Sequence, residues 1–270
     1  MPFLDTAQVR LHYQIEGKND APVLMLSNSL GTNLNMWEPQ IPSLLNHFRV
    51  LRYDARGHGQ SSVPDGPYSI AQLGGDAIAL LDHLGLTRVH FCGLSMGGMC
   101  GMWMALNQAA RIDRLVLCNT AARIGPPEMW NVRIEAVQTQ GLAEIVPAIL
   151  DRWFTRDFRH GATAQVELVR SMLLTTSDAG YIASCAAVRD MDQREQVGAI
   201  FAPTLVIAGR QDMATPPADG HFLADHIPGA RYVELNAAHL SNWETAQAFN
   251  THVCDFLLKA VTTQGSRTHG

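Results

Sequence analysis

No apolar stretch in this 270-residue chain approaches the ~20 residues that a membrane span requires, so no transmembrane helix is expected. The N-terminus, Met1-Pro2-Phe3-Leu4-Asp5, has no basic region followed by an apolar one, and no secretory signal is expected either. Cysteine is scarce. Cys92, Cys100, Cys118, Cys185 and Cys254 are odd in number and form no C-x-x-C pair. They argue against a disulfide framework or a zinc site and read as buried small hydrophobes in a reducing, cytoplasmic compartment. The eleven histidines contain no H-x-H or H-E-x-x-H spacing, so no metal is expected. Positive charge is in deficit: a net charge of −5 and a pI near 6.1 argue against nucleic acid or an anionic membrane as partner. G-x-G-x-x-G is missing as well. The glycine-rich loop Asp54-Ala55-Arg56-Gly57-His58-Gly59-Gln60-Ser61 does not open a helix, so it reads as a structural turn packed beside a site. No dinucleotide and no other cofactor is expected.

What remains is ample for a core. Apolar residues make up 47% and charged residues 17%, with a mean hydropathy of −0.02, as in a globular protein with one sizeable core and room for an inserted subdomain. Val9 to Ile15 alternates apolar and polar, as a half-exposed antiparallel edge strand would. Continuous apolar runs follow at Val23 to Leu26, Val50 to Tyr53, Val89 to Cys92, Leu115 to Cys118 and Leu205 to Ala208, and Tyr232 to Leu235 adds one more. Short runs flanked by turn residues suit strands buried on both faces. Between them lie helices. One is capped by Ser69, buries Ile70, Leu73, Ile78 and Leu81, and stops at Gly85. Another follows Asn242 and carries Phe249, Val253, Phe256 and Leu257; residues after Val261 are expected to fray. The pattern is α/β: a mostly parallel central sheet with helices on both faces.

The alternation fails from about Arg123 to Val197. Leu142 to Phe154 and Leu168 to Leu173 carry helical stripes, and Asp178 is placed to cap a third helix with Tyr181, Cys185 and Val188. We expect a core of residues 1–122 and 198–270 and a helical cap of residues 123–197 inserted after strand 6. Ligands bind at the carboxyl ends of such strands, so this cap would roof the site.

Gly93-Leu94-Ser95-Met96-Gly97 joins a buried strand to a helix, the G-x-S-x-G pattern of a nucleophile elbow; an inert serine in a glycine-rich turn is the alternative. A serine hydroxyl needs a base, and the base needs an orienting acid. Asp212 and His239 fall after later strands in the order that the elbow requires. Asp212 could instead cap the helix near Pro216-Pro217. Asn119, in the other loop open to the acid, is not ionisable, and Glu244 and Asp219 are weaker candidates. His58, His221, His226 and His252 lack the strand-end position and read as loop or helix-surface residues. For an oxyanion hole, Met96 supplies one N–H and the Ser27-Asn28-Ser29-Leu30-Gly31 loop the other, at Leu30 with Ser29 as its neighbouring alternative.

Together these segments resemble the α/β-hydrolase superfamily over nearly the whole chain. Within it, Leu26 to Thr32 with Met36-Trp37, Phe48 to Gly59, Cys92 to Gly98 and Leu117 to Ala121 resemble the 3-oxoadipate enol-lactone hydrolases of bacterial aromatic degradation. The Ser-Asn-Ser-Leu-Gly segment stands where many superfamily members have a His-Gly pair. The resemblance implies an α/β-hydrolase fold, a Ser95–His239–Asp212 triad and a small anionic lactone as substrate. Its free carboxylate calls for a cation, and Arg133, three residues from Trp130 at the start of the cap, is the candidate, with Trp130 as pocket wall. A general carboxylesterase or lactonase, a carbon–carbon bond hydrolase or a cofactor-free perhydrolase would use the same triad. A non-catalytic binding protein would not need it. A haloalkane dehalogenase would carry aspartate at position 95.

Overall fold

In the computed structural model the described residues are 2–259; the tail after Val261, expected to fray, lies outside them. Eight strands form one sheet: β1 (Phe3–Asp5), β2 (Arg10–Glu16), β3 (Val23–Ser27), β4 (Arg49–Tyr53), β5 (Val89–Leu94), β6 (Ile112–Cys118), β7 (Thr204–Gly209) and β8 (Arg231–Leu235). Their order is β1-β2-β4-β3-β5-β6-β7-β8. Only β1–β2 and β2–β4 pair antiparallel. The apolar runs β5 and β7 are buried at every residue, because helices cover both faces.

Two strand expectations change. Three-residue β1 buries only Leu4, too little to leave a period in the sequence. It takes the edge from β2, where His12 and Tyr13 are both buried, so the expected alternation is lost.

Helices of the core are α1 (Ile41–Leu44), α2 (Ile70–His83), α3 (Met96–Asn107), α9 (Pro217–His226), α10 (Ser241–Glu244) and α11 (Ala246–Leu258). In α2 the expected serine cap is a full capping box: the Gln72 N–H donates to Ser69 Oγ at 3.2 Å, and the Ser69 N–H donates to Gln72 Oε1 at 2.9 Å. Trp37, Phe48, Phe91 and Phe249 are fully buried around the sheet, each stabilising by about 1.5–3 kcal/mol.

Between β6 and β7 the cap comprises α4 (Pro127–Gln140), α5 (Leu142–Trp153), α6 (Arg156–Gly161), α7 (Thr163–Thr175) and α8 (Asp178–Arg189). Helix α6 buries no residue and therefore carries no apolar stripe to betray it. The cap residue of α8 is Ser177, not Asp178. The Asp178 carboxylate instead accepts the Leu142 N–H at 3.0 Å, satisfying an orphan donor at the start of α5.

The cap is seated on the core loops. Thr176 Oγ donates to Gly31 O at 2.9 Å, and the Leu240 N–H donates to Trp153 O at 3.1 Å. All five cysteines are free, with Cys254 only half-buried where burial was expected. Among the described residues no helix is long and apolar enough to cross a membrane. Nor does any cluster of His, Cys, Asp or Glu among them suit a metal ion.

Candidate active site

Register brings the site together. Ser27 pairs with Gly93, Gly93 with Leu117, Cys118 with Ile207 and Gly209 with Leu235, so the loops after β3, β5, β6, β7 and β8 open along one edge of the sheet. The elbow sits at the centre of that edge. Ser95 has φ 57° and ψ −117°, a conformation that side-chain-bearing residues rarely adopt. A Cβ at Gly93 would lie 2.2 Å from Gly97 O, and one at Gly97 would lie 2.1 Å from Ser27 O. The turn can close only with glycine at both places. It is pinned from the neighbouring strand end, where the Ser95 N–H donates to Cys118 O at 2.9 Å and Thr120 Oγ donates to Ser95 O at 2.7 Å.

His239 and Asp212 are buried to within a few per cent and meet at 2.8 Å between Nδ1 and Oδ2. Asp212 does not cap α9; its carboxylate gathers donors from its own loop and from β6. Oδ1 accepts the Ala214 N–H at 2.7 Å and the Thr215 N–H at 3.0 Å. Besides His239, Oδ2 accepts Thr215 Oγ at 2.7 Å and Asn119 Nδ2 at 3.0 Å. Burial pushes this carboxyl up, but the charge and hydrogen bond of His239, with the Thr215 amide and Asn119, outweigh it. The net result lies below the usual aspartate range, so the acid stays ionised against the histidine. With Nδ1 donating to Asp212, Nε2 is left as the acceptor that a general base requires.

Asn119 is thus no substitute acid but a donor to the acid. It also donates to Ala238 O at 3.1 Å, bracing the His239 loop, and accepts Ser241 Oγ at 2.6 Å. Glu244 does not touch His239. Its Oε1 accepts the Ala238 and Thr155 N–H groups at 3.0 Å each, and its Oε2 accepts Thr155 Oγ at 2.7 Å, clamping the His239 loop to the α5–α6 corner of the cap. Asp219 faces another hollow beside Ala122, Arg123 and Pro126; burial and the nearby Asp212 charge raise it to about 6.

The Ser27–Gly31 loop is fixed at almost every residue. Asn28 Nδ2 donates to Tyr53 O at 2.8 Å and Asn28 Oδ1 accepts Trp37 Nε1 at 2.9 Å. Thr32 Oγ donates to Ser29 O at 2.7 Å. The Ser29 N–H points at Met36 Sδ, 3.4 Å away. Neither the Leu30 amide nor the Met96 amide donates to a protein acceptor among the described residues, as the expected oxyanion hole would require.

His58 lies in a loop, as the sequence reading has it, but is buried there. It is no surface histidine: its buried Nε2 accepts the Gly31 N–H at 2.9 Å while Nδ1 donates to Arg56 O at 3.0 Å. Burial lowers its pKa and keeps Nε2 free to accept. The glycine-rich loop at 54–61 therefore does pack beside the site, as expected. His226 is exposed and His221 stacks on Tyr232, both in surface settings.

Ser95, Met96, Leu30 and His239 line one cavity under the cap, together with Trp130 and Arg133. Trp130 is buried, donates Nε1 to Ile124 O at 2.9 Å, and carries the Arg133 guanidinium 5.0 Å from its ring centre. Arg152 also lines the cavity and was hidden in the sequence by the apolar stripe of α5 around it. Burial and the nearby Arg133 charge push its pKa down. Among the described residues neither arginine has a carboxylate within ion-pair distance; Arg152 Nη2 donates only to Met213 O at 3.1 Å. Asp212 acts on Arg152 only from beyond ion-pair distance and Arg133 hydrogen-bonds the Tyr181 side chain, so a ligand's negative charge would be favoured here.

A family model described as alpha/beta hydrolase fold matches residues 22–246. The chain is 46% identical to 3-oxoadipate enol-lactonase 2 of Acinetobacter baylyi, covering 94% of this chain and 95% of that protein. Its structure is similar to that of the enol-lactonase from Burkholderia xenovorans LB400, with a TM-score of 0.94, 48% identity and coverage of 96% of this chain and 100% of the other. A thermophilic esterase from Thermogutta terrifontis, solved with malate bound, aligns with a TM-score of 0.89 at 27% identity over 95% of this chain and 98% of that one.

Proposed function

The chain belongs to the α/β-hydrolase family, and from that membership we propose that it is an enol-lactonase, hydrolysing 3-oxoadipate enol-lactone to 3-oxoadipate. The observation that carries the substrate is the cavity itself, where Ser95 and His239 lie with the cations Arg133 and Arg152, neither ion-paired to a carboxylate among the described residues. Enol-lactonases 46% and 48% identical along nearly the full chain support the same reading.

The chemistry follows from the atoms. Ser95 Oγ attacks the lactone carbonyl as its proton passes to His239 Nε2. Asp212 holds the imidazolium that forms. The carbonyl oxygen takes up the electron pair against the Leu30 and Met96 N–H groups. Collapse expels the ring oxygen as an enol, which is more acidic than a simple alcohol and needs less proton donation from His239. Ketonisation then removes the nucleophile that would reclose the ring. Water deprotonated by His239 cleaves the acyl-Ser95 ester and frees the second carboxylate.

In this reading the substrate's own carboxylate pairs with Arg133, Trp130 walls the ring, and Arg152 adds a second positive charge. Residues 123–197 act as the cap domain on a core of 1–122 and 198–270. No metal or cofactor enters any step. The free cysteines suit a cytoplasmic setting.

Assaying Arg133→Ala with the enol-lactone and with an uncharged ester tests the assignment. A charge-assisted contact is worth about 1.5–3 kcal/mol, so kcat/KM for the lactone should fall about 10- to 150-fold and that for the ester much less. Equal losses would remove the carboxylate role. A wild-type enzyme that prefers uncharged esters to the lactone would instead be a general carboxylesterase.

A further inference from the structure

Ser29 carries an unexplained polar group. The residue is 1% exposed, and its hydroxyl has no hydrogen-bond partner among the described residues. Several other buried side chains share that condition, among them Ser184, Gln193 and Asn242, but of them all Ser29 alone lines the cavity of Ser95 and His239. An unsatisfied buried hydroxyl is a net cost to the fold, and an alanine here would avoid it. The serine is therefore costly in the free protein. A partner that arrives with the substrate would offset it.

The neighbourhood says what that partner is. Ser29 directly precedes Leu30, which also lines the cavity and is the proposed oxyanion donor, and the Ser29 carbonyl and amide are both engaged, with Thr32 Oγ and Met36 Sδ. The backbone cannot turn away from the cavity without breaking these contacts. Only the hydroxyl is free to rotate. In the proposed reaction, negative charge develops on the substrate's carbonyl oxygen beside Leu30 and Met96. We propose that the Ser29 hydroxyl is a third donor of the oxyanion hole, forming its hydrogen bond as the tetrahedral intermediate forms. It keeps its proton throughout: the C–Oγ bond is made by Ser95, the proton goes to His239, and Ser29 contributes only a hydrogen bond to the oxygen that gains the electron pair. Such a bond strengthens from ground state to transition state, so it accelerates the reaction rather than tightening substrate binding.

The proposal rests on Ser95 being the nucleophile, and Ser29→Ala tests it separately. Turnover of the wild type is measured first; an inactive wild type would fault the hydrolase reading itself. With an active wild type, Ser29→Ala should lower kcat about 10- to 100-fold with KM within about twofold, while Tm stays level or rises. An alkylboronic acid, which forms a tetrahedral adduct on the nucleophilic serine, should lose affinity by a similar factor. Levulinate, a monocarboxylate probe whose ketone carbon is trigonal rather than tetrahedral, should bind as before. A kcat within twofold of wild type would overturn the proposal. So would a loss of kcat accompanied by a fall in Tm, because that pattern belongs to a residue that merely holds the loop.

Discussion

Replacing Ser95 with glycine is expected to give a protein that is more stable than the wild type and almost inert. The two effects have one cause. At φ 57° and ψ −117°, the Cβ of Ser95 sits where side-chain-bearing residues pay about 1–3 kcal/mol. Glycine removes that strain but gives back about 0.5–1 kcal/mol through its freer unfolded chain. A net gain of about 1 kcal/mol raises Tm by about 2 °C in a chain of this size. Activity should fall on the order of 10⁵- to 10⁶-fold, the residue being what the oxyanion hole and substrate binding supply alone. Calorimetry beside a steady-state assay checks both halves. A Ser95→Gly protein that loses stability along with activity would mean that the elbow is not strained as described.

Asp212→Asn should cost about 10⁴-fold in kcat although it changes one atom. The reason lies in the donors. Oδ1 receives two backbone N–H groups that cannot reverse, so an asparagine must keep its oxygen there. Its NH2 then replaces Oδ2, facing His239 Nδ1 at 2.8 Å. Thr215 Oγ can rotate to accept, Asn119 Nδ2 keeps only its bond to Ala238 O, and His239 must turn acceptor at Nδ1. The proton moves to Nε2, and the base can no longer take one from Ser95. Stability follows the same group. Because the folded-state pKa of Asp212 is depressed, its stabilising contribution is fully present above the ordinary aspartate value and is lost as pH falls through the depressed one. The denaturation midpoints of wild type and Asp212→Asn should therefore differ most near neutrality and converge in acid.

Much of this architecture is legible in the residues. Continuous apolar runs locate the parallel strands, and a strand's end locates the loop that follows it, which is how Ser95, Asp212 and His239 can be named from spacing alone. Contacts between distant segments are not legible. Nothing near Ser29 or Leu30 in sequence shows which amide already has a partner; Met36 Sδ, 7 residues on, lies 3.4 Å from the Ser29 N. His58 reads as a loop histidine because its partner, the Gly31 amide, lies on another strand's loop. Arg152 sits one residue before Trp153 on a helix whose apolar stripe dominates the pattern, and only the packing of α5 over the cavity turns it inward. The Glu244 clamp joins segments about 90 residues apart through hydrogen bonds that no local pattern anticipates. Short elements escape for a simpler reason: β1 and α6 bury one residue and none.

The central claim is that Ser95 takes the acyl group of the lactone. Rapid acid quenching during turnover of the enol-lactone, followed by mass spectrometry of the peptides, tests it directly. Ring opening keeps the leaving group tethered, so the account predicts an adduct of the whole lactone mass on the peptide bearing Ser95. That adduct should appear before steady state and vanish when the lactone is exhausted. Turnover with Ser95 unmodified throughout, or with the adduct on another residue, would contradict it.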